Sequence, residues 1–586
     1  MEKNRYPLPV TLLSGFLGSG KTTLLKHILE SRDPNLKVAV LVNDMAELNI
    51  DAALVKNANV LQQQEKMIEM HNGCICCTLR EDLLLELTRL ALSNHFDAIL
   101  IESTGVSEPQ QVAETFTFDF EHDHDHDGEH DHDGEHDHDH EKEHPGQNDQ
   151  DQEALSDKIK AQTEKRQDML EELGEALAQV GQVIGHKPHS LNDITRLDTC
   201  VTVIDCQAFS GDITSCTTLL ERYHEKGGVD EEDDRNIAEL FIDQIEFANV
   251  VLLNKTDLVQ EKEIQAIRQL VHVLNPTAKV VLTQHSKVPC EAIVNTGLFN
   301  MDEAARSAGW LKSLLEDIKP ETEEYGISSF VYRARTPFHP RRIFQFLEKL
   351  FLLELVTYDD DEEEKVMNEG ESEAATDVAR DKPIENEEED DQAKDEKLSD
   401  EAAKAKRDAT YAKCQKYMKT NFGQIFRSKG FMWFAGRDFQ HAEWSQAGAN
   451  GEVSCGGPWM GVMPPEAFPE KDTDAARLIE KDMVPGLIQD RRQELVFIGQ
   501  ELKKEALIKA LDECLLKPED NPKSKVAKGT SEDERKNAWK FGWKPKDPET
   551  DGDLLPPWPS VEDQLMFFTD NDDHEEEEEE GKKSVP

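Results

Sequence analysis

Gly15-Phe-Leu-Gly18-Ser19-Gly20-Lys21-Thr22 fits the pattern G-x-x-x-x-G-K-[ST] and stands where that pattern has a mechanical meaning. An apolar run, Pro9–Leu13, precedes it, and a helical pattern, Lys21–Glu30, follows it. The glycines let backbone N–H groups curl around phosphate oxygens at a helix N-terminus, where the dipole favours anions. Lys21 is placed to reach the outer phosphates and the Thr22 hydroxyl to ligate Mg²⁺. A loop of this kind needs a buried strand behind it and a helix in front, so the chain is expected to build an α/β domain around it.

The runs that follow agree. Val38–Val42, Ala98–Ile101, Cys200–Ile204 and Val250–Leu253 are short and apolar, and helical patterns such as Glu81–Leu92 separate them. Strands alternating with helices predict a mostly parallel sheet. Beyond Ile327 the texture changes. Strands are expected over Ile327–Arg333, Gly430–Ala435 and Glu494–Gly499, and helices over Pro340–Leu353 and Lys503–Cys514, a smaller α+β domain.

Charge divides the chain further. Its 586 residues hold 66 Lys+Arg and 121 Asp+Glu, a formal net charge of −55. That excludes a general nucleic-acid binder, which needs a basic face, and an anionic membrane surface as main partner. The acid is concentrated in three places: Glu121–His144, Asp359–Lys406, and an end with six consecutive glutamates, Glu575–Glu580. Such segments repel themselves and bury too little apolar surface to offset chain entropy of about 1–2 kcal/mol per residue. The expected organisation is a P-loop GTPase domain over 1–320, with a His/Asp-rich insert at about 121–150 and a solvated helix at about 152–179. A C-terminal domain over 325–516 follows, interrupted by a disordered insert at about 359–406. A largely disordered acidic tail over 517–586 closes the chain, although Trp539, Trp543 and Trp558 leave open whether the tail docks on the body or on a partner.

Asn254-Lys255-Thr256-Asp257 closes another apolar strand. The Asp257 carboxylate can accept from the N1–H and the exocyclic amine of guanine, whereas adenine would leave it unpaired. GTP is therefore expected in preference to ATP. Glu102-Ser-Thr-Gly105 ends the Ala98 strand: the acid is placed to hold the Mg²⁺ shell or a water, and Gly105 to present its N–H to the γ-phosphate. Asn43, Asp44 and Glu47, after the Val38 strand, read as a switch segment or a polar loop.

Gly73-Cys74-Ile-Cys76-Cys77 puts three cysteines in four residues of a chain otherwise sparse in them. Three thiolates suit Zn²⁺ or Cu(I) and leave a fourth position open, for Asp44, Glu47, His71 or a water. His122–His144 adds nine histidines, mostly alternating with acid, a weak exchangeable cation reservoir or a solvated insert. No run reaches 18 apolar residues and Met1–Leu8 has no signal-type core, so a reducing, cytoplasmic setting without membrane contact is expected.

Taken together, these motifs resemble the CobW-like GTPase metallochaperones, a group that includes cobalamin-biosynthesis CobW, nitrile hydratase activators and zinc-regulated GTPase metalloprotein activators. The matching pieces are Ser14–Leu25, Val42–Asp51, Asn72–Leu83, Leu100–Pro109, Asp243–Val259 and Leu274–Val280, continuing through Ile327–Ile343, Arg427–Arg437 and Arg491–Leu507. The resemblance implies nucleotide contacts from Gly18 to Thr23 and from Asn254, Lys255 and Asp257, and metal thiolates at Cys74, Cys76 and Cys77. It implies Zn²⁺, with Co²⁺ tolerated, and delivery to a client metalloprotein such as a methionine aminopeptidase. Asn43-Asp-Met-Ala-Glu47 departs from the family's usual Asn-Glu-Phe-Gly-Glu. A zinc buffer with a vestigial GTPase, or a GTPase whose thiols sense redox state, are the rival expectations. Oligomeric state is not legible.

Overall fold

A computed structural model describes residues 7–42, 67–69, 80–93, 95–117, 172–223, 235–301, 325–356, 388–464, 467–469, 473–521, 536–545 and 554–560. The chain divides into two units. The first comprises residues 1–212 and 217–309, the second 213–216 and 310–586.

The first unit is built on seven strands: β1 (Leu8–Ser14), β2 (Val38–Val42), β3 (Met67–Glu69), β4 (Ala98–Glu102), β5 (Thr195–Asp205), β6 (Val250–Asn254) and β7 (Lys279–Leu282). Their order is β3-β2-β4-β1-β5-β6-β7, and every pairing is parallel. The central strands are buried throughout, as a sheet covered on both faces requires. Alternate residues serve opposite faces. Ile99 and Ile101 pack with Leu83, Leu87 and Leu90 of helix α2 (Arg80–Leu92), while Ala98 and Leu100 pack with Leu24, Leu25 and Ile28 of α1 (Lys21–Ser31). Three further helices matter for the site: α3 (Pro109–Thr115), α4 (Ile237–Glu246) and α5 (Glu261–Leu274).

The helix expected to be solvated near 152–179 is described over 172–184, and it is packed. Leu173, Ala176 and Val180 are buried at helical spacing, Val180 against Ala91 and Ile194. Its apolar stripe is sparse enough to read as a polar helix, yet three residues on one face suffice to anchor it.

The second unit carries a mixed sheet. Its strands are β8 (Ile327–Ala334), β9 (Leu352–Leu355), β10 (Gln424–Met432), β11 (Gln440–Ala447), β12 (Asn450–Pro458) and β13 (Gln493–Gln500), in the order β8-β13-β10-β11-β12-β9. All pairs are antiparallel except β12 with β9. Helices α6 (Pro340–Leu347) and α8 (Lys504–Cys514) pack over it around Phe338, Phe344, Trp444, Phe497 and Leu511.

Three expectations need correction here. The helix predicted over Pro340–Leu353 stops at Leu347. The chain then turns, and the Leu352 N–H joins the sheet by donating to the Ala449 carbonyl at 2.9 Å. The insert predicted to be disordered through Lys406 is helical from Glu388, where α7 (Glu388–Asn421) begins. Ala, Lys and Glu are strong helix formers, and the C-terminal turns are pinned by Tyr411, Cys414 and Met418, buried at i, i+3 and i+7. The tail predicted to be largely disordered is docked on its own domain over 536–545 and 554–560. Trp558 lies over the Arg437 guanidinium at 4.1 Å, and Arg437 Nη2 donates to the Leu555 and Pro556 carbonyls at 3.1 and 2.8 Å. Phe541 meets Trp433, and Trp543 meets His339. Acidic composition hid a few aromatic anchors, each able to bury far more area than its neighbours expose.

Candidate functional site

The P-loop leaves β1 and enters α1 at Lys21. Three glycines make the turn: Gly15, Gly18 and Gly20 have φ of 131°, 78° and 111°, values that other residues rarely adopt. A Cβ on Gly15 would stand 2.3 Å from the Val203 carbonyl oxygen, and one on Gly20 would stand 2.5 Å from Asn254 Nδ2. One on Gly18 would meet nothing within 4 Å, so this glycine faces open space. Lys21, 5% exposed, folds back across the loop and donates from Nζ to the Gly15 carbonyl at 2.7 Å. The Ser14, Ser19 and Thr104 hydroxyls are buried around the loop with no hydrogen-bond partner among the described residues. A glycine cradle open to one side, a buried ammonium and unpartnered hydroxyls fit a polyphosphate.

Thr22 and Glu102 come together across the sheet. Thr22 Oγ1 donates to Glu102 Oε1 at 2.8 Å, and the glutamate is 1% exposed. The strands dictate this meeting: β4 pairs with β1 in parallel register, Leu13 opposite Glu102, so the acid emerges beside the first turn of α1. A hydroxyl and a carboxylate in that arrangement fit the inner and outer shell of a Mg²⁺ ion carried by the nucleotide. Gly105 approaches the P-loop backbone so closely that a Cβ there would stand 2.7 Å from the Leu17 nitrogen.

The Asn254–Asp257 segment is tied to the glycine loop by buried hydrogen bonds. Asn254 Nδ2 donates to the Ser19 carbonyl at 2.8 Å and to Ser286 Oγ at 2.9 Å, while the Ser286 N–H donates to Asn254 Oδ1 at 2.9 Å. Ser286 Oγ in turn donates to the Gly20 carbonyl at 2.9 Å. Lys255 has a φ of 59°, a conformation held by its ammonium pairing with Asp205 Oδ2 at 2.7 Å. Asp257 follows on an exposed turn, and Thr23 is exposed on α1.

Ser286 was not legible as a site residue. It lies in the turn after β7, where His285 and Ser286 have φ of 53° and 54°. This turn brings the Ser286 N–H and hydroxyl against Asn254 and Gly20. The sequence signal was only a polar Thr-Gln-His-Ser-Lys stretch after a weakly apolar strand.

Cys74, Cys76, Cys77, Asp44, Glu47 and His71 lie outside the described residues, as does the 121–150 tract. Their points of departure are described. Val42 ends β2 in register with both Glu69 on β3 and Glu102 on β4, so the last described residues of β2 and β3 lie level with the carboxylate that meets Thr22. The seven described cysteines are all free thiols, and no group of three candidate metal-ligating side chains occurs among the described residues. Burial pushes the Cys206 thiol up to about 12, with the Asp205 carboxylate adding to the effect, so it stays protonated at neutral pH.

Residues 9–132 and 149–282 match the CobW/HypB/UreG nucleotide-binding domain, and residues 402–515 match the cobalamin synthesis protein CobW C-terminal domain. A protein of Dictyostelium discoideum named zinc-regulated GTPase metalloprotein activator 1 is 33% identical over 518 residues, 87% of this chain and 80% of its own. The chain belongs to the CobW/HypB/UreG family. A namesake from Schizosaccharomyces pombe is 26% identical over 284 residues, 48% of this chain and 47% of that one. A zinc chaperone CobW from Pseudomonas aeruginosa is 39% identical over 114 residues, 19% of this chain and 30% of its own. With the phosphate cradle, the Thr22–Glu102 pair and the Asn254 staple in place, this CobW-family chain is a GTPase. Among the described residues no helix is long and apolar enough to cross a membrane.

Proposed function

We propose that this GTPase carries a divalent cation, Zn²⁺ before Co²⁺, on the thiolates of Cys74, Cys76 and Cys77, and hands it to a client metalloprotein under control of the bound nucleotide. The observation that supports it most is the register of β3, β2 and β4. Val42 and Glu69, the last described residues before the Asp44 and Cys74 segments, end their strands level with Glu102, which meets Thr22. A γ-phosphate there would bias both segments at once, as γ-phosphate contacts order switch loops in other GTPases. The fourth ligand is drawn from Asp44, Glu47, His71 or water, and an open fourth position suits release. The names of the Dictyostelium and Pseudomonas relatives point the same way, toward zinc and toward activation of a metalloprotein. Reduced thiolates require a reducing compartment, which favours the cytoplasm.

Replacing Cys74, Cys76 and Cys77 together by alanine tests the ligand set. In a chain lacking residues 121–150, stoichiometric Zn²⁺ binding should disappear. Tight binding that survives would refute the thiolate assignment.

A further inference from the structure

The loop after Glu102, the residue that meets the Thr22 hydroxyl, carries its own turn bond from the Ser107 N–H to the Thr104 carbonyl at 3.3 Å, and it is also held from outside. Three consecutive residues after Gly105 are gripped by side chains from a segment some 130 positions away. Arg235 Nη2 donates to the Val106 carbonyl at 3.0 Å and Nη1 to Glu108 Oε1 at 2.6 Å. Gln244 Nε2, on a side chain that is fully buried, donates to the Ser107 carbonyl at 3.1 Å. Glu108 is steadied from its other oxygen by Gln111 Nε2 at 2.9 Å.

The donors stand on a strut that is itself fixed at both ends. Asn236 caps α4 by accepting from the Ala238 N–H at 2.9 Å. At the far end Asn275 Nδ2 donates to the carbonyls of Ile245, Glu246 and Ala248 at 2.9, 3.0 and 2.8 Å. In between, Thr202 Oγ1 on β5 donates to the Gln244 carbonyl at 2.6 Å. A helix anchored this way is a rigid reference, and a loop held on it by a planar two-pronged donor is fixed in direction as well as distance.

From this geometry we propose that Arg235 is a positioning residue for GTP hydrolysis. With Gln244 it clamps Val106–Glu108 onto α4 and so sets where Gly105 stands against the Leu17 backbone. The residue that follows Gly105 is Val106, 6% exposed and apolar, so the loop has no side chain at that position to orient a water and depends on backbone placement. The inference rests on reading Gly105 as the γ-phosphate contact. GDP lacks that phosphate, so the clamp acts on turnover and leaves GDP affinity alone.

The test uses the full chain and measures kcat, KM for GTP, GDP affinity and melting temperature. Arg235→Ala should lower kcat roughly 10- to 100-fold, the scale of a displacement approaching 1 Å, with KM and GDP affinity held to about twofold. Arg235→Lys keeps a charge and one contact but not the fork, and should fall between the two. Millimolar guanidinium should restore turnover to Arg235→Ala and not raise that of the parent. A kcat for Arg235→Ala within about twofold of the parent overturns the proposal. So does a loss of kcat matched by an equal loss of GDP affinity and of melting temperature, without guanidinium rescue, since that is mere unfolding. Gly105→Ala separates the two readings: if it slows turnover and Arg235→Ala does not, the clamp alone is wrong. If it leaves turnover intact, the assignment of Gly105 fails, and the clamp with it.

Discussion

Asn254→Ala removes the junction between the phosphate loop and the base-recognition turn, and its cost can be worked from the contacts. Asn254 is 2% exposed and makes three hydrogen bonds of 2.8–2.9 Å, to Ser19 and twice to Ser286. Each is worth about 1 kcal/mol net, and each buried partner left unsatisfied adds about 1–3 kcal/mol. The Ser286 residue is fully buried and Ser19 is 2% exposed, so water does not replace the lost amide without rearrangement. Counting each lost bond once, at about 1–1.5 kcal/mol because the partner groups can relax in part, gives a loss of about 3–5 kcal/mol, a large share of the roughly 5–15 kcal/mol that holds an ordinary domain together. Calorimetry of the nucleotide-free chain should show the GTPase transition lowered by about 10 °C, at some 2–4 °C per kcal/mol for a domain of this size. GDP affinity should fall as well, because Ser19 and Ser286 lose their common partner. A variant within about 1 kcal/mol of the parent, with unchanged GDP affinity, would refute the claim that Asn254 organises the site.

Lys21→Ala should abolish GTP turnover, read as phosphate release, because it removes the buried ammonium of the cradle; normal hydrolysis would exclude the phosphate site. Arg437→Ala removes two carbonyl contacts and the stack with Trp558, so limited proteolysis should cut within 546–560 many times faster than in the parent, with the core intact. His441 gives a pH signature in the second unit. Its ring lies against Phe431 and Trp459, and burial lowers its pKa from 6.5 to about 4, against a smaller opposite pull from Asp490. The unfolded chain takes up the proton at the higher pH, so stability is full above about 6.5 and falls toward about 4, by up to about 3 kcal/mol. His441→Phe should flatten that slope in urea titrations across pH 4–7.

The first unit was largely legible because its sheet is buried on both faces. Strands such as Val38–Val42 and Val250–Asn254 are uninterrupted apolar runs, and the P-loop fixed where the first of them ended. The edges were not. Strand β7 carries only partly buried or exposed residues, and β3 spans three residues, so neither contrasts with a loop. In the second unit the hairpin β11–β12 was missed because its strands alternate polar residues with Ala and Gly, and Gly451 leaves room for Trp444 of the partner strand. The motif residues Lys21, Thr22, Glu102 and Asn254 were readable because their spacing carries the chemistry. Arg235 and Ser286 were not, since each acts through a contact remote in sequence. Arg235 follows five consecutive acids and reads as one more solvated charge. Ser286 matters because Asn254 and Gly20 reach it.

In the proposed function nucleotide state and metal affinity are coupled, and linkage requires the coupling to be reciprocal. The direct measurement is a competitive titration of Zn²⁺ against a chelator with the full chain, Mg²⁺ present, bound first to a non-hydrolysable GTP analogue and then to GDP. One site of high affinity is expected with the analogue and at least about tenfold weaker binding with GDP, a coupling of about 1.4 kcal/mol or more. Equal Zn²⁺ affinity in the two nucleotide states would contradict it.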